Sequence, residues 1–226
     1  IEIRQKLERF TTGIDARLER TLHKDYQDLN SINRSISVDL NGALTERLSF
    51  STSFGYKKRA LRGEDPDNTG IALIGDKKSF QMAMETTYAL TELSQISASL
   101  ALSDSDRSED DLVDRTKSLR LSLQYSQNLS EYWENSTGLI SLVYQSSESD
   151  EVDWTAFTIE KYDTEIWQVT LGISKALTEL ISFNLQGGIG YSDTREKLDQ
   201  YSGFPPLFSE RETDSFNGVF SGGLSY

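Results

Sequence analysis

The stretch WQVTLGISKALTELISFNLQGGIGY, residues 167–191, decides the fold. In its first half Trp167, Val169, Leu171 and Ile173 alternate with Gln168, Thr170, Gly172 and Ser174. In its second half Ile181, Phe183, Leu185, Gly187, Ile189 and Tyr191 alternate with Ser182, Asn184, Gln186, Gly188 and Gly190. Successive side chains of a strand point to opposite faces, so each half is a strand with one apolar and one small, polar face. Between them Ala176-Leu177-Thr178-Glu179 leaves room for a tight turn and nothing more.

The same turn signature occurs three more times, as Leu44-Thr45-Glu46, Leu90-Thr91-Glu92 and Leu129-Ser130-Glu131. Period-two runs flank each copy. Ile36, Val38, Leu40 and Leu44 lead into the first, and Leu48, Phe50, Phe54 and Tyr56 leave it. Phe80, Met82, Met84 and Tyr88 precede the second, and Ile96, Leu100 and Leu102 follow. The run after the third copy is less regular. Leu139 and Val143 share one face, and Ile140, Leu142 and Tyr144 the other, as a bulge or burial on both faces would give. The pattern predicts ten antiparallel strands, at about 10–23, 31–44, 47–57, 78–90, 94–104, 117–129, 133–146, 165–177, 180–192 and 213–226. Ile1, Ile3 and Leu7 take the opposite parity from the strand after them. A bulged extension, a preceding strand and a tail are all open readings of residues 1–8.

The 226 residues carry a formal net charge of -13, with 36% hydrophobic residues and no cysteine. Disulfides and thiolate metal sites are excluded. So acidic a chain lacks the basic footprint a phosphate backbone needs, which argues against nucleic acid as a partner. No apolar run is long enough for a helical membrane span. Modest hydropathy is nonetheless what a transmembrane barrel gives, because alternate residues alone meet lipid. The start at Ile1 is read as a mature chain or an excised portion.

Connections alternate in length. Those at 43–47, 89–94, 129–133 and 176–180 are tight; those at 58–77, 104–116, 147–164 and 193–212 are long and polar. Short turns on one side and long loops on the other are the outer-membrane pattern. A soluble sandwich or β-helix also alternates, but its strands average five or six residues. The reading is therefore all-β: an antiparallel transmembrane barrel occupying residues 1–226, with about ten strands and both ends on the short-turn side. The small interior residues suit a wide lumen, so a segment of a larger barrel is kept beside the closed ten-strand form.

Parity places Asp15, Arg17, Glu19, Asp39, Glu85, Arg120, Gln168, Asn184 and Gln186 on the interior as candidate pore-lining residues. Asp104, Asp106, Glu109, Asp110 and Asp111 form an acidic loop with no EF-hand spacing, a candidate for weak cation binding. Tyr201, Phe204 and Phe208 in YSGFPPLFSE offer an apolar loop surface for a ligand or partner, or for packing on the barrel itself. His23, the one histidine, reads as a solvated loop residue. The repeated Glu46, Glu92, Glu131 and Glu179 read as a turn device, accepting backbone N–H bonds.

The hairpins ALTERLSFSTSFGY (43–56) and ALTELISFNLQGGIGY (176–191) resemble those of large Gram-negative outer-membrane barrels, nearest to barrels associated with exopolysaccharide export systems. Barrels associated with decahaem cytochromes have similar hairpins. The resemblance implies the outer membrane of a Gram-negative bacterium, contact with its lipid, and polysaccharide or periplasmic export components as partners. It carries no functional residue across. The expected function is a channel or export conduit for polar solutes. The alternative is a non-conducting barrel whose loops engage a partner or glycan. No catalytic, metal or cofactor motif is found, so the chain is not expected to be an enzyme.

Overall fold

The computed structural model describes residues 2–6, 8–22, 30–62, 74–109, 112–153, 157–178, 180–201 and 207–225. Eleven strands form one sheet in sequence order: β1 (Glu2–Lys6), β2 (Phe10–Thr21), β3 (Ser31–Ala43), β4 (Leu48–Arg62), β5 (Ile74–Ala89), β6 (Ser94–Glu109), β7 (Leu112–Asn128), β8 (Ser136–Asp153), β9 (Thr158–Ala176), β10 (Ser182–Gln200) and β11 (Leu207–Ser225). Every neighbouring pair is antiparallel. The count of about ten strands becomes eleven among the described residues. Residues 2–6 are a strand of their own, with Ile3 opposite Ile14, so the change of parity marks a turn. An odd number also separates the first and last strand ends, against the expectation of both on one side.

The register lines the apolar residues into continuous cross-strand rows. One row runs Leu100, Leu121, Tyr144, Trp167, Tyr191, Phe216 across six strands. Ile140 and Leu142 of β8 belong to the same face, pairing with Leu171 and Val169. The irregular run after the third signature is thus a regular strand, with Leu139 and Val143 turned inward against Gly172 and Gln168.

Exposure is inverted relative to a soluble protein. On β9 the apolar Trp167, Val169 and Leu171 are 47%, 43% and 61% exposed, while Thr170 on the other face is 5% exposed. Burying such a belt in lipid recovers its hydrophobic free energy, at roughly 25 cal/mol per Å². Aromatic pairs mark its upper border: Phe54–Phe80, Tyr144–Trp167 and Tyr191–Phe216, with centroids 5.3, 4.4 and 5.7 Å apart. Phe10–Phe50 and Trp133–Phe183 mark the lower border. Lys175 Nζ lies 4.3 Å from the Trp133 ring centre, where a cation serves both the ring and headgroups.

Strands run far past the belt. β9, β10 and β11 each have 19 residues, about 60 Å of strand, against an apolar band of about 25 Å. Most of the segments expected as long loops at 104–116 and 147–164 are therefore strand. Water lies on both sides of these extensions, so both faces are polar and the alternation signal vanishes. Cross-strand ion pairs replace it on the belt side: Arg115–Asp104 at 2.9 Å, Lys117–Glu148 at 3.9 Å, Arg195–Glu212 at 3.3 Å and Lys197–Glu210 at 3.2 Å.

The tight turns use threonine. Thr45 Oγ1 accepts from the N–H groups of Arg47 and Leu48, and Thr178 Oγ1 from those of Leu180 and Ile181. Thr91 Oγ1 accepts from Leu93 N–H. The hydroxyl of the signature, and not Glu46 or Glu92, makes these bonds. Glu179 lies outside the described residues. The third copy differs, with Asn128 Oδ1 taking the N–H of Ser130 and Asn135 at a φ of 55°.

Candidate functional site

Opposite the apolar belt lies a face of small polar side chains. Hydroxyl pairs bridge adjacent strands along it: Thr87–Ser97 at 2.9 Å, Ser99–Ser122 at 2.7 Å, Ser103–Ser118 at 2.7 Å and Ser192–Ser215 at 2.7 Å. Each pair satisfies one donor and leaves acceptor lone pairs facing the interior. The close approach of β9 and β10 depends on Gly188, where a Cβ would collide with the carbonyl oxygen of Val169.

All nine interior candidates sit on this polar face. Gln168 lies between Val143 and Gly190, and Gln186 between Gly172 and Ser221. Asn184 faces Ser174 and Gly223, and Glu85 lies between Ser51 and Ser99. Asp39 and Arg120 line one concavity with Gln145, Gln81 and Ser118. Asp15 faces Ser37. Arg17 and Glu19 are separated from that group; they line a second concavity nearer the long-loop ends, with Lys57 and Arg59.

The loop candidates are redistributed. Asp104, Asp106 and Glu109 are strand residues of β6, not loop residues, because the hairpin continues past the membrane. Asp104 is held in an ion pair with Arg115. Asp110 and Asp111 lie outside the described residues, as do His23 and Phe204. Phe208 belongs to β11, and Tyr201 packs edge-on against it at 6.0 Å.

Sequence reasoning missed two arrangements. Asp193, Glu212 and Asp214 bring one carboxylate oxygen each within 4.8 Å of one another, on the belt side just above Tyr191–Phe216. Arg195 already engages Asp193 and Glu212, at 3.4 and 3.3 Å. The three could hold a divalent cation in competition with that arginine. Farther out, Tyr162 donates to Glu160 at 2.9 Å with Glu196 at 3.5 Å. The Glu160 carboxylate, as acceptor and as charge, pushes the phenol up to about 12. Asp193 and the Glu212–Asp214 pair, and likewise Tyr162 and Glu196, are far apart in sequence. The register, invisible to composition and spacing, is what joins them.

An apolar belt outside, paired hydroxyls inside and sequential antiparallel strands define the wall of an outer-membrane β-barrel. Comparison with protein families and with curated proteins gave no match. Solved structures do match in fold. The ferric yersiniabactin uptake receptor FyuA of Yersinia pestis has a TM-score of 0.67 at 9% identity, covering 99% of this chain and 40% of the receptor. The alcaligin receptor FauA of Bordetella pertussis gives 0.71 at 15%, covering 96% and 36%. OmpT, an outer membrane protein of Vibrio cholerae, gives 0.51 at 11%, covering 100% and 63%. The chain thus spans about two fifths of the receptors it matches, and its fold is that of Gram-negative outer-membrane barrels. That agrees with the expected membrane and with contact to its lipid. The particular likeness to export barrels finds no support among these neighbours.

One expectation is corrected outright. The chain was not expected to be an enzyme, for want of convergent groups in the sequence. OmpT matches the chain over its full length. The carboxylates of Asp193, Glu212 and Asp214 do converge at the rim, contributed by two strands. The lack of a catalytic motif in the sequence therefore does not exclude an enzyme.

Proposed function

We propose that the chain forms part of the wall of a larger outer-membrane barrel whose lumen carries polar solutes. The observation that supports this most is the polar face itself, with its cross-strand hydroxyl pairs and small residues. Hydroxyl acceptors can replace water around a polar solute without trapping it by charge. Polysaccharide, with periplasmic export components as partners, is one cargo of suitable chemistry. The named uptake receptors lend that cargo no support.

The sheet order supports the larger barrel. Among the described residues the outer edge of β11 has no strand partner, and β1 covers only Thr11–Asp15 of β2. In hydrocarbon each unpaired backbone group costs several kcal/mol, so both edges need further strands. Planar-bilayer recording of the full-length chain tests the conduit. Steady conductance reduced by added oligosaccharide is the expected result. Inserted protein with no current would overturn the conduit in favour of a binding barrel.

A further inference from the structure

Above the aromatic border, the belt side of the sheet carries a charged row. Two residues beyond Ile36, Tyr56 and Phe80, the side chains of Arg34, Lys58 and Lys78 stand directly opposite one another on β3, β4 and β5. Farther along the same row the signs alternate, as Asp106, Arg115, Asp150 and Lys161. Like charges placed directly opposite destabilise a sheet, and the alternating part avoids that cost. Three adjacent cations are the exception, in a chain of net charge -13.

One carboxylate answers them from within the sheet. Asp76 holds Lys58 at 2.7 Å. Arg34 and Lys78 are exposed, and neither has an ion pair among the described residues. They flank the Lys58–Asp76 pair, about 10 Å apart across two strand spacings. Their height on the wall decides what can reach them. The row just below them reads Ala16, Ile36, Tyr56 and Phe80, and Phe80 meets Phe54 edge-on at 5.3 Å. Rings at the end of an apolar belt sit where hydrocarbon gives way to headgroups. Two residues farther is about 7 Å of strand, which brings the cations to the lipid phosphates.

We propose that Arg34 and Lys78, with Lys58 between them, bind phosphate groups of a membrane lipid in the leaflet on the long-loop side. The guanidinium fork and the ammonium group take phosphate oxygens by charge-assisted bonds. Ile36, Tyr56 and Phe80 beneath them receive the acyl chains. Long loops of such barrels face outward, so the lipid is that of the outer leaflet, a phosphorylated disaccharide in Gram-negative bacteria. The site lies on the outside of the wall and is independent of any conduction through the lumen.

Native mass spectrometry of the full-length chain in uncharged detergent, with lipid A and with its phosphate-free form as probes, tests the site. The phosphorylated lipid should be retained at least about five-fold more than the other. Arg34→Gln/Lys78→Gln should weaken that retention at least ~10-fold, as loss of two charge-assisted contacts requires. Arg17→Gln/Lys57→Gln, on the polar face, should leave it within about two-fold. Circular dichroism and heat-modified gel mobility verify that each variant is folded, and the comparison of the two lipids on the unaltered chain needs no variant. Equal retention of the two lipids would overturn the proposal. So would weakening in the Arg17/Lys57 variant alone, which would place the lipid on the polar face.

Discussion

At Gly188 a single methyl group decides whether β9 and β10 can approach, since a Cβ there meets Val169 backbone. Gly188→Ala should destabilise the sheet by about 1–3 kcal/mol, measured by urea unfolding in lipid vesicles. Tyr144 and Trp167 at the belt border make a different prediction. A double-mutant cycle to alanine should give a coupling of about 0.5–1.5 kcal/mol, because the rings are in contact beyond their shared burial. Tyr162 carries a pH signature. Its folded pKa of about 12 exceeds the ordinary phenol value of 10. Its contribution to stability is thus complete below pH 10 and lost as pH rises through 12. The wild-type minus Tyr162→Phe difference spectrum should show an ionisation step near pH 12, and a step near 10 would contradict the Glu160 contact. None of these three partnerships is visible in sequence, because each joins residues on different strands or depends on which face a side chain takes.

Elements were legible where lipid imposes alternation. Trp167 through Ile173 and Ile181 through Tyr191 gave strand, face and turn from residues alone, since water and hydrocarbon bound opposite sides there. Above the belt the same strands meet water on both sides. Glu148 to Asp153 and Asp193 to Gln200 then look like loop, although they pair in register. The turn chemistry was misassigned to glutamate because the neighbouring threonine repeats equally well. A placement test follows for the belt. Leu171→Arg, 61% exposed on the apolar face, should cost about 2–4 kcal/mol in vesicles, while Gln168→Arg on the polar face should cost far less. A larger cost at Gln168 would mean that the faces are assigned the wrong way round.

For the whole molecule, the small residues on the polar face pointed in sequence to a wide interior. Among the described residues β11 and β1 are not paired with one another, and the larger barrel is a proposal. The charged candidates all fall on the polar face, but which charges stand opposite one another across it needed the register. Deuterium exchange addresses the free edge. In the full-length protein the outward amides of β11, such as those near Val219, should exchange as slowly as those of β10. Rapid exchange there would mean that no strand continues the wall.

The strands that stand beyond the lipid have a mechanical consequence. A pleated ribbon bonded at every rung bends far less readily than a loop. The extension is therefore a stiff wall whose position is set by its strand pairing and not by the moment-to-moment pose of its tips. Whatever approaches from the long-loop side meets a fixed polar lip well before it reaches the depth of the apolar belt.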